Sequence, residues 1–160
     1  MRPIVSAAIA VVLVTCGCAT VEFSKENRAP KNDGANADVG GTLYLRNAFL
    51  LSNTDPASPS TQMSLFAVLI NDGPRTDQVE RISVPGGGTV RLIEPLTLPP
   101  NQPVGTGSKP IGTLSGVSGT SVPMTFTFRN TKPVRVSVPI KLRIGWFASL
   151  TPAPAAPPQP

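Results

Sequence analysis

Between Thr42 and Trp146 the apolar positions recur with a period of two, the spacing of strands with one buried face, and no window carries a convincing helical stripe. In TLYLRNAFLL, Leu43, Leu45, Phe49 and Leu51 share a face, interrupted at Asn47. The run SLFAVLIN is apolar on both faces through Leu65, Phe66, Val68, Leu69 and Ile70, as a strand in the middle of a sheet should be. It stops at Asn71-Asp72-Gly73-Pro74, a turn signal, and QVERISV and TVRLIE follow around a second turn at Pro85-Gly86-Gly87-Gly88. Met124, Phe126 and Phe128 alternate with Thr125, Thr127 and Arg129 in a half-buried strand. From Val134 to Trp146 every even position is apolar, while Arg135, Lys141 and Arg143 stand at odd ones, so one face points inward and the other to water. Pro139 belongs to the outward series and has no N–H to donate, which puts this strand at a sheet edge or breaks it there. Short strands parted by Gly/Pro turns predict an all-β fold, an antiparallel β-sandwich over residues 42–147.

The flanks read differently. Arg2 and the apolar run Ile4 to Val14 have the charge and length of an export signal and fall short of a membrane span. The segment after it, Leu13-Val14-Thr15-Cys16-Gly17-Cys18-Ala19, resembles a bacterial lipobox, with Cys18 behind the small Gly17 as the lipidation site and Cys16 as the alternative. A Cys-x-Cys metal or redox pair is the competing reading, disfavoured by the apolar run directly upstream. Residues 1–17 are thus expected to be a signal peptide and Cys18 the lipidated mature N-terminus. Two acyl chains hold stably where one binds only marginally, so the membrane, at the outer face of the cytoplasmic membrane in the cell envelope, becomes the first partner. Residues 18–41 hold few large apolar side chains and read as a flexible stalk, whose coil spans roughly 26 Å on average. Residues 148–160, ending in TPAPAAPPQP, read as an extended Pro/Ala-rich tail.

Composition removes several kinds of chemistry. The 160 residues contain no His, so this chain has no imidazole base, no His-metal site and no Ser-His or Cys-His pair. A formal charge of +5 raises the question of nucleic acid, but the basic residues are scattered and a single Tyr and a single Trp offer little stacking; no nucleic-acid partner is expected. Gly105-Thr106-Gly107-Ser108-Lys109 has the look of a phosphate loop without its spacing or a helix behind it. The nine carboxylates form no paired arrangement for acid/base hydrolysis, and no enzyme is expected. Arg135, Lys141 and Arg143 are candidates for contact with anionic lipid or wall polymer, against the plainer reading of a solvated face.

Four segments carry a family resemblance: SLFAVLINDG, DQVERISVPGGGTVRL, LPPNQPV and, above all, SVPMTFTFRNTKPVRVSVPI. In this order, from about Thr42 to Ile140, they resemble the periplasmic copper chaperone family PCuAC in the lipoprotein form carried by actinobacteria. The resemblance implies a cupredoxin-like β-sandwich and a Cu(I) site of two His and two Met, in a His-Met, Met, His-x-Met arrangement of soft donors. This chain departs from that pattern. Beyond Met1 it has only Met63, which opens a strand, and Met124, which lies in the alternating apolar series; both suit core packing, and KPIGTLSGVSG stands where the second His-x-Met belongs. Two expectations follow: an envelope module that binds or presents a protein partner without a resident cofactor, or a copper chaperone working through Met63, Met124 and other non-His ligands.

Overall fold

A computed structural model of the chain describes residues 33–52 and 62–154. The expected signal peptide, Cys16, Cys18, most of the stalk and residues 155–160 lie outside the described residues. Nine strands, β1 (Ala35–Val39), β2 (Leu43–Ser52), β3 (Met63–Asn71), β4 (Asp77–Ser83), β5 (Thr89–Leu92), β6 (Leu96–Leu98), β7 (Gly112–Ser115), β8 (Ser121–Phe128) and β9 (Val134–Leu142), are followed by a short 3-10 helix at Gly145–Ser149. They run in the order β5-β7-β3-β2-β9-β8-β4-β6, with β1 added to β2. Every pairing but β2 with β9 is antiparallel.

The path folds over as two layers and closes on itself. After β6 the chain crosses to the edge of β3, where Leu69 and Val104 exchange N–H···O bonds of 2.9 and 2.8 Å and the Asn101 N–H donates to the Asn71 carbonyl. This second seam joins the layers opposite the β2–β9 junction. Between them lies the main core, built from inward positions such as Leu45, Leu50, Leu65, Leu69, Val79, Leu98, Leu114, Phe126 and Val138. The architecture is the expected all-β, antiparallel-rich sandwich, with β3 inside its sheet as the two-sided apolar run predicts.

Two buried polar side chains tie the turns to this core. Asn71 Nδ2 donates to the carbonyls of Arg75 and Leu98, while its Oδ1 accepts the Gly73 N–H. Asp77 accepts from the N–H groups of Gln78 and Asn130 through Oδ1 and from the Thr131 hydroxyl through Oδ2, bracing the turn between β8 and β9. Neither side chain leaves a polar atom unpaired, which is the condition for burying it without a large penalty.

Four sequence expectations change. The stalk was expected to run through residue 41, yet Ala35–Val39 form β1, closed onto β2 by Gly40 and Gly41 at φ of 61° and 75°, the double positive turn that suits hairpin twist. Its inward side chains are Ala35, Ala37 and Val39, too small at two positions to show as an apolar period. Second, Leu43 and Leu45 do not share a face with Phe49 and Leu51. A bulge between Arg46 and Phe49, with Asn47 at φ 50°, shifts the register, so that Ala48 and Leu50 continue the inward series while Phe49 and Leu51 turn outward.

Third, β9 is not an edge strand. It pairs with β8 over Val134 to Pro139 and with β2 over Ile140 to Leu142, so the break expected at Pro139 is a change of partner at that residue. The inward series also ends early: Leu142, Ile144 and Trp146 are 43%, 68% and 43% exposed. Fourth, the segment from 148 onward is held against the domain as far as Pro154. Leu150 is buried, Thr151 N–H donates to the Ser108 carbonyl, Ala153 N–H to Ser64 Oγ, and Gln62 Nε2 to the Pro154 carbonyl.

Candidate interaction surface

The bulge in β2 determines what the outer face of the sandwich carries. Without the extra residue Phe49 and Leu51 would continue the series of Leu43 and Leu45 into the core; with it they project outward beside Phe66 of β3. Phe49 and Phe66 stack with centroids 5.1 Å apart, and Phe147 meets Phe49 edge-on at 5.3 Å. Trp146 stacks on Phe147 at 4.4 Å and stands edge-on to Phe49 at 6.4 Å. Leu51 and Leu150 complete a second apolar cluster on this side of the sheet. Such ring pairs each add about 0.5–1.5 kcal/mol beyond simple area burial.

Arg143 holds the lid of this cluster. Its guanidinium donates to the Leu150 carbonyl at 2.6 Å and to the Ala148 carbonyl at 3.3 Å, folding the 3-10 turn back over Phe49 and Phe66. The three basic residues picked from sequence therefore differ. Arg143 has an internal role, Lys141 is half-buried across from Leu51, and Arg135 is exposed across from Thr125. Beside the brace, Ile144 and the ring-cluster member Trp146 present apolar surface to solvent. This aromatic grouping was missed in the sequence because Phe49, Phe66 and Trp146 come from three distant segments; the interruption at Asn47 was its one visible sign.

The remaining candidates lie elsewhere. Met63 and Met124 are both fully enclosed in the main core, on β3 and β8. Residues Gly105 to Lys109 line an open cleft of about 360 Å³ with Glu94, Leu96 and Ile111, and the element that follows is β7, not a helix. Among the described residues no group of three or more His, Cys, Asp or Glu is assembled that could hold a metal ion.

This strand order, closed at two seams around one apolar core, is a PCuAC-type fold. The apo PCuAC domain from PmoF1 matches with a TM-score of 0.55 at 20% identity, covering 68% of this chain and 99% of that one. The copper-bound PCuAC domain from PmoF2 matches at 0.55 and 16% identity, over 68% and 98%, and its apo form at 0.54 and 15%, over 68% and 95%. No family model and no curated protein sequence matches the chain. At these identities the likeness establishes the fold, and the resemblance read from the four sequence segments holds at that level.

Proposed function

We propose that this chain is a cell-envelope lipoprotein, anchored by acylated Cys18 to the outer face of the cytoplasmic membrane, whose PCuAC-like domain is a non-catalytic binding or interaction module. The observation that carries the metal-free part of the reading is the position of the thioethers of Met63 and Met124. A Cu(I) site needs soft ligands that reach the ion together. In a chain without His, the thioethers of Met63 and Met124 are both 0% exposed and packed among core side chains. Drawing either out to a metal would leave a void in the core, at a cost of about 2–5 kcal/mol if the space stays empty.

The second reading is a Cu(I) chaperone of the envelope, favoured by the copper-bound PCuAC domain from PmoF2 among the structural neighbours. A Cu(I) competition titration under reducing conditions separates the two. It is run on the Cys16→Ser/Cys18→Ser chain, so that the thiols of the leader region do not supply the ligands. The proposal expects no sub-micromolar binding. Tight binding that disappears in Met63→Leu or Met124→Leu would establish the chaperone reading instead.

A further inference from the structure

The charges of this chain are unevenly placed along it. From Pro95 to Pro160 there is no Asp or Glu, while Lys109, Arg129, Lys132, Arg135, Lys141 and Arg143 all fall in that stretch. Most of them sit on β9 or the turn leading into it, and β9 ends at the exposed apolar residues Leu142, Ile144 and Trp146. Alternation along β9 puts Arg135 and Lys141 in the row opposite the main core, and Lys141 stands across from Leu51, a member of the outer cluster against which Trp146 packs. The nearby β1 carboxylate, Asp38, is taken up by Arg46 at 2.6 Å.

We propose that the Leu142–Trp146 turn is a membrane-contact site, through which the domain lies on an anionic lipid surface with Ile144 and Trp146 in the interface and Lys141 and Arg135 over the headgroups. Trp favours the boundary between water and acyl chains, because its ring is apolar at one end and polar at the other. Each cation near a charged bilayer strengthens partitioning about fivefold. The turn is also pre-formed: Arg143 ties it to the Ala148 and Leu150 carbonyls and Phe147 supports the indole, so contact costs little ordering. A protein partner on this patch would be expected to bring acidic groups to meet the cations; an anionic bilayer supplies such charge at every position. The inference deepens the proposed envelope role and rests on its location, but the site is a property of the folded domain and needs no acyl chain.

Trp146 is the only Trp of the chain, so its fluorescence reports on this site alone. The full chain carrying Cys16→Ser/Cys18→Ser is mixed with vesicles of phosphatidylcholine containing phosphatidylglycerol, and in parallel with phosphatidylcholine alone. Contact is expected to move Trp146 emission to shorter wavelength and to expose it to brominated-lipid quenching on the anionic vesicles, with much less effect on the neutral ones. Ile144→Ser, at a residue 68% exposed, should abolish the quenching, and Lys141→Gln should raise the lipid needed for half-effect about fivefold. Unchanged emission on anionic vesicles overturns the proposal, even if the leader carries the chain to the bilayer; so does quenching equal on both lipids or undiminished in the two variants. Failure of the lipoprotein reading is seen separately, as absence of fatty-acid label at Cys18 in cells.

Discussion

Replacing Asn47 tests whether the β2 bulge builds the outer face. Asn47 is at φ 50°, a left-handed conformation that costs a residue with a Cβ roughly 1–2 kcal/mol and that Asn tolerates better than most. Its Oδ1 also accepts the Gly34 N–H at 3.0 Å, while its own N–H donates to Asn36 Oδ1, so the bulge is clasped by β1. Asn47→Ala takes on the backbone cost that Asn is largely spared and also loses the side-chain acceptor; a hydrogen bond of this kind is worth about 1 kcal/mol, which brings the total loss to about 2–3 kcal/mol. Asn47→Gly loses the same acceptor but accepts the backbone angle freely, so its loss should stay near about 1 kcal/mol. Urea denaturation followed by Trp146 fluorescence measures both, and native-state emission reports whether Phe49 still supports the ring. The order expected is parent, then Gly, then Ala, with a red shift in the Ala variant. If Ala is as stable as Gly, the bulge is not held by backbone conformation and the account of the outer face is wrong.

Other outcomes follow from single contacts. Arg143→Met removes the Nη2 group that donates to both the Ala148 and Leu150 carbonyls, and should cost about 1–3 kcal/mol and shift Trp146 emission to the red; Arg143→Lys should not restore it, because the shorter stem does not carry its ammonium to where Nη2 meets both carbonyls. Asp77→Ala leaves two backbone N–H groups and the Thr131 hydroxyl without their acceptor and should cost about 3 kcal/mol or more by thermal denaturation, with Asp77→Asn losing less. In Gly34→Ala the new Cβ falls 2.5 Å from the Asn47 backbone carbon, so hydrogen exchange at Ala35–Val39 should quicken as β1 lifts from β2. For the anchor, radiolabelled fatty acid should be incorporated by the parent and lost in Cys18→Ser; label lost only in Cys16→Ser would move the site there.

The strands that could be read from sequence are those whose large side chains form an unbroken pattern. β8 and most of β9 declare themselves by alternation, through residues such as Phe126 and Val138, and β3 by an apolar run on both faces around Leu65; Met124 lies in the alternating series and Met63 opens the apolar run, and both are buried. β1 was hidden because Ala carries its inward face, although the Gly40-Gly41 pair between Val39 and Thr42 is a hairpin signal. The bulge was hidden because one added residue leaves the letters of β2 alternating while it reverses which face they occupy. The C-terminal segment looked featureless because its attachment is largely by backbone groups, through Thr151 and Ala153, and by the single side chain of Leu150. Of the candidate surface, the cations of β9 were visible, whereas the ring cluster depended on bringing Phe49, Phe66 and Trp146 together in space.

The sulfurs of Met63 and Met124 are core atoms with no access to an ion. Methyl-13C labelling of methionine gives the Cys16→Ser/Cys18→Ser chain resonances from Met1, Met63 and Met124, assigned by the Leu variants, which conserve volume and should cost less than about 1.5 kcal/mol each. On addition of Cu(I) the Met63 and Met124 methyl signals should stay where they are. Shifts of both at one equivalent of the metal would show that the sulfurs reach the ion and overturn the proposed metal-free role.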